Sequence, residues 1–334
     1  MAFIKATFAT TSLLHRNARL FRPLTIFSIR TVYTGAEHAD VKFSGSFLHQ
    51  NRRVSCGLSV TDLIDSEWCE KQKEFSLTER SRKTTAMKTG NARHSALEEE
   101  VIKKIKYRIR SAENVWENKL MNFIVHANEL LVNGFTRELP LVGFTQGEWM
   151  VGRIDVIQML NSNSENFLMI VERKTRRRAT LPAEPQIRKG RFQTMCYRML
   201  WDSLGEFTSE KFYDHFALNP EHILSPDIVK KTVKAGFPCE TLHDLVEYFR
   251  TTCSLLPPAH DQLLLRYELK GNQTLLMENK FPYDPDWVTG KIKYHLEFLR
   301  GKREASCTPL EERWKCSFCP FSSECPANSN FKQT

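Results

Sequence analysis

Three short strings place residues that could cut a phosphodiester bond. Gly152-Arg-Ile-Asp155 and Val171-Glu-Arg-Lys174 read as parts of two neighbouring strands, and Gln193-x-x-x-Tyr197 as one face of the helix after them. In a strand, residues two apart share a face, so Glu172 and Lys174 point together and Arg173 points away. Asp155 can then bring its carboxylate alongside Glu172. Two hard carboxylates with open water positions suit Mg²⁺ or Mn²⁺. Such an ion lowers the pKa of a bound water and neutralises transition-state charge. Lys174 could orient the attacking water or stabilise the developing charge on phosphate. His94 and Glu98, at i and i+4 on an upstream helix, form a further pair, with Glu98 as a metal-side carboxylate and His94 as a metal or phosphate ligand. Each string alone is commonplace. Glu-x-Lys on a solvated strand face is usually a weak surface ion pair, and Glu98-Glu99-Glu100 reads equally well as a solvated helix face. Their order and hairpin spacing lift the set above that background.

Periodicity supplies the elements that must hold these side chains. Ser59 to Lys73 reads as a short helix with Thr61 or Asp62 as cap, and residues 76–91 as a polar, basic loop. Leu97, Val101, Ile105 and Ile109 fall on one helical face between His94 and Arg110. A second helix runs from about Ser111 to Leu131 and ends before Asn133-Gly134. Segments 139–145, 148–160 and 167–174, separated by turn residues, predict successive antiparallel strands. Helical spacing returns at 184–204, in pieces near 209–216 and 240–254, and near 286–301. Strands are expected near 263–270 and 274–281. Helix, three strands, then helix describes an α/β core with helices on both sides of a central sheet.

The chain has 334 residues and a net charge of +9. Lys5, Arg16, Arg19, Arg22 and Arg30 carry five of those charges before the first acid, Glu37. An acid-free segment rich in Arg, Ser and Thr over residues 1–35 predicts a transit peptide, mitochondrial ahead of plastid, that is removed to leave 36–334 as one domain. If the segment is instead a basic tail, the nucleus or cytoplasm is the expected location. No apolar run approaches the ~20 residues needed to span a bilayer, so no membrane partner is expected. No Gly-x-x-x-x-Gly-Lys-Ser/Thr loop is present, so no ATP-driven motor is expected. Lys174, Arg176, Arg177 and Arg178, then Arg188, Lys189 and Arg191, form a basic run suited to sequence-independent phosphate contacts. Of nine cysteines, Cys316-x-x-Cys319-x5-Cys325 puts three thiolates within ten residues. A metal centre there needs a distant fourth ligand, and the spacing leaves zinc and a 4Fe–4S cluster both open. Cys56, Cys196, Cys239 and Cys253 read as buried thiols.

The ordered array His94, Glu98, Gly-Arg-Ile-Asp155, Glu-Arg-Lys174 and Gln-x-x-x-Tyr197 resembles the RecB-type branch of the PD-(D/E)xK nucleases. Within that branch it is most similar to the exonuclease V family, itself similar to CRISPR-associated cluster-bearing nucleases. Lys174-Thr-Arg-Arg-Arg178 followed by Leu181-Pro182 sharpens the match. The likeness spans about residues 59–327 and is dense only in these motifs. Ile154 stands where the motif's name has proline. The resemblance implies a restriction-endonuclease-like core, a mixed sheet flanked by helices, stapled by a 4Fe–4S cluster. It implies Asp155 and Glu172, with Glu98, as Mg²⁺ or Mn²⁺ ligands and Lys174 as the catalytic lysine. Gln193 and Tyr197 would lie on the substrate side, with Arg176, Arg177 and Arg178 on the nucleic acid. Cys69 would join Cys316, Cys319 and Cys325 on the cluster, with Cys307 as the alternative fourth ligand. The implied activity is a single-strand-specific DNA exonuclease, 5′ to 3′, that threads its strand through a narrow passage in mitochondrial genome maintenance or DNA repair. Such an enzyme would act as a monomer beside a single-strand-binding protein. An RNA-processing nuclease and a non-catalytic nucleic-acid-binding protein of the same fold are the competing expectations.

Overall fold

A six-stranded mixed sheet forms the centre of the computed structural model, which describes residues 57–78, 111–162, 165–270 and 273–328. The expected helix over 94–110, with His94 and Glu98, lies outside the described residues, as do Cys56, most of the expected loop at 76–91 and the segment 1–35. Strand β1 (Leu58–Ser59) leads into helices α1 (Val60–Trp68), α2 (Glu70–Thr78) and α3 (Ala112–Asn133). Strands β2 (Phe135–Thr145), β3 (Glu148–Ser162) and β4 (Glu165–Arg176) form an antiparallel run, as the turn residues predict. Helices α4 (Glu184–Asp202), α5 (Ser209–Phe216), α6 (Pro226–Lys234) and α7 (Leu242–Ser254) follow. Strands β5 (Gln262–Leu269) and β6 (Leu275–Pro282), helix α8 (Pro285–Leu299) and a 3-10 segment (Leu310–Phe318) complete the order. β5 pairs with β4 in parallel, a crossover that local periodicity does not foretell.

Capping chemistry decides several boundaries. Ser59 Oγ accepts from the Thr61 N–H and the Ser59 N–H donates to Asp62, so the cap of α1 is Ser59 rather than Thr61 or Asp62. The expected single helix over 59–73 is broken at Cys69, whose backbone is extended (φ −171°, ψ 114°). α3 stops at Gly134, whose φ of +70° is the left-handed conformation that glycine adopts without a Cβ clash. The core is aromatic at its centre: Trp116, Phe123, Phe192, Phe212 and Phe249 are fully buried. α4 lies close on the sheet because Gly190 has no side chain to hold it off, and the Tyr267 hydroxyl donates to the Gln186 carbonyl.

The chain after α8 is seated by charge. Both ring nitrogens of His295 face carboxylate oxygens at 2.9 Å, Nε2 to Glu67 and Nδ1 to Glu70. Carboxylates only accept, so both nitrogens carry protons and the ring is an imidazolium. Burial alone would raise the Glu67 pKa, but hydrogen bonds from His295 and Lys291 bring it down to about 2. Glu70 likewise falls to about 2 against burial, through Arg303, His295 and Ser306. Burial would lower the His295 pKa, and the two glutamates raise it instead. Arg188 spans the two parts, bonding Glu67 of α1 and Glu312 of the 3-10 segment.

These contacts generate three stability predictions. A Cβ at Gly190 would fall 2.7 Å from Cδ2 of the fully buried Leu265. Gly190→Ala is therefore expected to cost about 1–3 kcal/mol, read from the urea midpoint at unchanged slope. His295 has a raised folded pKa, so its contribution is complete below about pH 6.5 and is lost as pH rises through that folded pKa. The stability deficit of His295→Asn should be largest near about pH 6 and narrow at higher pH. The two glutamates contribute above about pH 4.5, so wild-type stability should fall as pH drops from there toward about 2.

Candidate active site

The Gly152–Asp155 string lies where the sheet parts. β2 runs along one edge of β3. On the other edge, β4 pairs from Val156 to Ser162 and β1 pairs at Met150 and Val151. Residues 152–155 fall between those two partners. Asp155 closes the end of the β3–β4 ladder with its side chain, as Oδ2 accepts the Arg173 N–H at 2.9 Å. The strands also change phase there. Val156 packs with Val171 and Leu264 in a small separate cluster, whereas Ile154 belongs to the main core. On β2 the same switch separates Phe135 from Leu139. In a regular strand each of these pairs would share a face. The reversal is centred on Glu138, which stands opposite Asp155 in the register, has φ +53° and is 3% exposed. A left-handed non-glycine residue costs of order 1–3 kcal/mol and persists only where its surroundings fix it.

Glu172 and Lys174 emerge from β4 beside this opening. Glu172 is 1% and Asp155 8% exposed. Lys174 Nζ donates to Glu172 Oε1 at 2.5 Å and to Gln193 Oε1 at 2.7 Å, and Gln193 Nε2 donates to the Tyr197 hydroxyl at 2.8 Å. Lysine has only donors, so it fixes the carboxamide oxygen of Gln193 toward itself and leaves the NH₂ for tyrosine. Burial would lower the Lys174 pKa, but the Glu172 and Asp155 carboxylates raise it. Burial, then Glu172 and Asp155, push the Tyr197 pKa well up, so the ring stays a neutral phenol. Tyr197 packs flat enough on β3 that a Cβ at Gly152 would fall 2.8 Å from its Cε1. Arg173 points away, as alternation predicts, and pairs with Glu268 of β5.

The basic run divides by role. Arg177 and Arg178 are exposed. Arg176 instead ties down the start of α4, donating to Gln186 and Thr180. Arg188 is held by Glu67 and Glu312, Lys189 by Asp65 at 3.2 Å, and Arg191 by Asn279. Two residues near the site are missed by motif spacing: Glu138, and Asp65, whose charge acts on both Lys174 and Lys189. No local signal marks either one, because a regular strand puts no bend at Glu138 and α1 is read only for its cap.

Two donor sets bear on metal binding. Among the described residues, no three His, Cys, Asp or Glu side chains form a ready-made cage. Asp155 and Glu172 supply two hard oxygen donors at the parted strands, a set that fits a small divalent cation retaining water ligands. Cys69, at the break between α1 and α2, lines one small cavity with Cys316, Cys319 and Cys325. Four thiols from two distant segments on one cavity fit a thiolate-held centre. Burial raises the pKa of Cys316 and Cys319, and the neighbouring cysteines raise it further. Cys307 is exposed and does not line the cavity, though it is near enough for Cys325 and Cys69 to add to the upward push of burial. Cys196, Cys239 and Cys253 are buried free thiols elsewhere. No helix among the described residues is long and apolar enough to cross a membrane.

Comparison with known proteins identifies the family of the chain. The family described as "Exonuclease V - a 5' deoxyribonuclease" matches residues 46–167, 157–247 and 236–326. Exonuclease V of Danio rerio is 31% identical over 295 residues, covering 85% of this chain and 74% of that protein. The crystal structure of SSO0001 aligns over 81% of this chain and 86% of that one, at 14% identity and a TM-score of 0.35. The family match spans most of the chain and includes every motif residue of the parted strands: this chain belongs to the exonuclease V family and is a nuclease that acts on DNA.

Proposed function

We propose that this protein is a metal-dependent exonuclease that degrades single-stranded DNA from the 5′ end in the mitochondrion. The observation that carries the reading is the Asp155–Glu172 carboxylate pair beside a lysine oriented by Gln193 and Tyr197, in a chain whose family is described as a 5′ deoxyribonuclease. On this reading the sheet is a PD-(D/E)xK core. Asp155 and Glu172, with Glu98, would hold Mg²⁺ or Mn²⁺. A cation held there would supply an acidified water and positive charge at the scissile phosphate. Lys174, released from Glu172 and still held by Gln193, donates to the phosphate or to the attacking water. Tyr197 holds Gln193 in place through its hydroxyl. Arg177 and Arg178 contact phosphates without reading bases.

Cys69, Cys316, Cys319 and Cys325 would hold a 4Fe–4S cluster with a structural role. Those four thiols would then tie the tail to the joint of α1 and α2, next to the ionic seat of Glu67 and Glu70. The acid-free segment 1–35 supports mitochondrial import. The working partners are single-stranded DNA and a single-strand-binding protein, with the chain as a monomer.

End-labelled single strands with Mg²⁺, blocked at either the 5′ or the 3′ end and made as DNA and RNA of one sequence, test substrate and polarity together. Asp155→Asn, Glu172→Gln and Lys174→Met should each lower turnover by about 10²-fold or more. Gln193→Leu should lower kcat by a smaller factor with KM little changed, because it acts through Lys174. Full activity in Asp155→Asn or Lys174→Met would sink the proposal. Anaerobically purified protein should absorb near ~400 nm, and Cys316→Ser or Cys69→Ser should lose that absorbance together with stability. A colourless wild type containing zinc would instead overturn the cluster assignment.

A further inference from the structure

On the reading of the chain as a DNA exonuclease, we infer that a pocket beside the parted strands binds the 5′-phosphorylated terminal nucleotide of the strand. The pocket has a volume of about 250 Å³ and lies between α3, β2, β3 and the start of α1. Its wall nearest the site is Tyr197, the residue that holds Gln193, and Gly152 with Arg153 forms another side. Arg153 belongs to the same four-residue string as Asp155, about 7 Å away along the strand. The pocket is therefore next to the bond-breaking groups and separate from them.

Charge and shape both suit a nucleotide end. Lys119 of α3 and Arg153 of β3 bring two cations to the pocket, and Ser59 and Thr61 add hydroxyls. Neither cation hangs loose. Lys119 Nζ sits 4.4 Å from the Trp116 ring centroid, and Arg153 Nη1 is 3.8 Å from the buried Glu138 carboxylate. Glu138 is the residue with the left-handed backbone, so the strained position on β2 is also the one that aims Arg153. Strain of this kind gathers at sites where the geometry matters. The rest of the lining is largely apolar, with Phe123, Leu141, Val142 and Tyr197 buried, which offers contacts for sugar and base beside cations suited to phosphate. The volume accommodates one nucleotide-sized group rather than a length of chain, which suits a strand terminus. Phosphate contacts to Lys and Arg are charge-assisted and do not depend on sequence.

The test measures binding and cleavage on the full-length protein. In EDTA, wild type should bind a 5′-phosphorylated single strand about tenfold or more tighter than the same strand with a 5′-hydroxyl. It should also bind thymidine 5′-monophosphate in preference to thymidine. Lys119→Gln and Arg153→Gln should each shrink that preference, and Arg153→Lys should restore part of it. Thr61→Trp, placed at the exposed rim, should block the pocket while leaving both charges in place. Melting curves on every variant separate a lost pocket from a lost fold. Equal affinity for both end chemistries in wild type would overturn the inference, as would a preference that survives in all the blocking variants or one that follows a 3′-phosphate. Wild type that binds the 5′-phosphate but cuts no DNA would instead count against the nuclease reading alone.

Discussion

Everything at this site depends on β3 and β4 separating after Val156 and Val171. A sheet normally continues its ladder because an unpaired backbone N–H costs free energy. Here the Asp155 carboxylate takes the place of the next carbonyl and accepts the Arg173 N–H. The strands can diverge without leaving that donor unsatisfied, and the divergence uncovers the Gly152–Asp155 edge. One oxygen of Asp155 is therefore structural, and the side chain is held by the opening that it creates. Glu172 and Lys174 stay paired through the backbone to β5, at Leu265 and Tyr267, so the far side of the opening remains rigid.

The helix that completes the site is positioned by the sheet rather than by its own propensity. Gly190 lets α4 come down on Leu265, and the Tyr267 hydroxyl fixes its first turn through Gln186. Three residues after Gly190, Gln193 reaches Lys174. The glycine, the tyrosine of β5 and the glutamine together set the lysine, although only the last of them carries a motif signature. Arg176 belongs to the same scaffold. Its bonds to Gln186 and Thr180 clamp the turn between β4 and α4, which leaves Arg177 and Arg178 as the exposed members of the run.

Much of this was legible in the sequence where periodicity is local. The α3 stop at Gly134, the three-strand run, and the face shared by Glu172 and Lys174 follow from turn residues and alternation. The break at Cys69 was not legible, because no glycine or proline marks it in the segment 59–73 and only the extended Cys69 backbone reveals it. The phase reversal at Glu138 and Asp155 was hidden for a related reason. Alternation assumes a regular strand, and nothing in Arg-Glu-Leu-Pro announces a left-handed glutamate. The parallel β4–β5 pairing, and the spending of Arg188 on Glu67 and Glu312, are long-range outcomes that composition does not encode.

The seat of the tail also has a temporal meaning. Glu67, Cys69 and Glu70 lie in and between the first helices, while Cys316, Cys319 and Cys325 and the 3-10 segment come far later in the sequence. During synthesis the carboxylates of α1 and α2 are made long before His295, Arg303 or Arg188 exists to neutralise them. The central sheet can assemble before the 3-10 segment is made, but the joint at Cys69 must stay unfinished until that segment emerges. Contacts this distant in sequence close late. The N-terminal helices would be the last part of the early chain to settle, giving a window in which the thiols of both segments are still accessible.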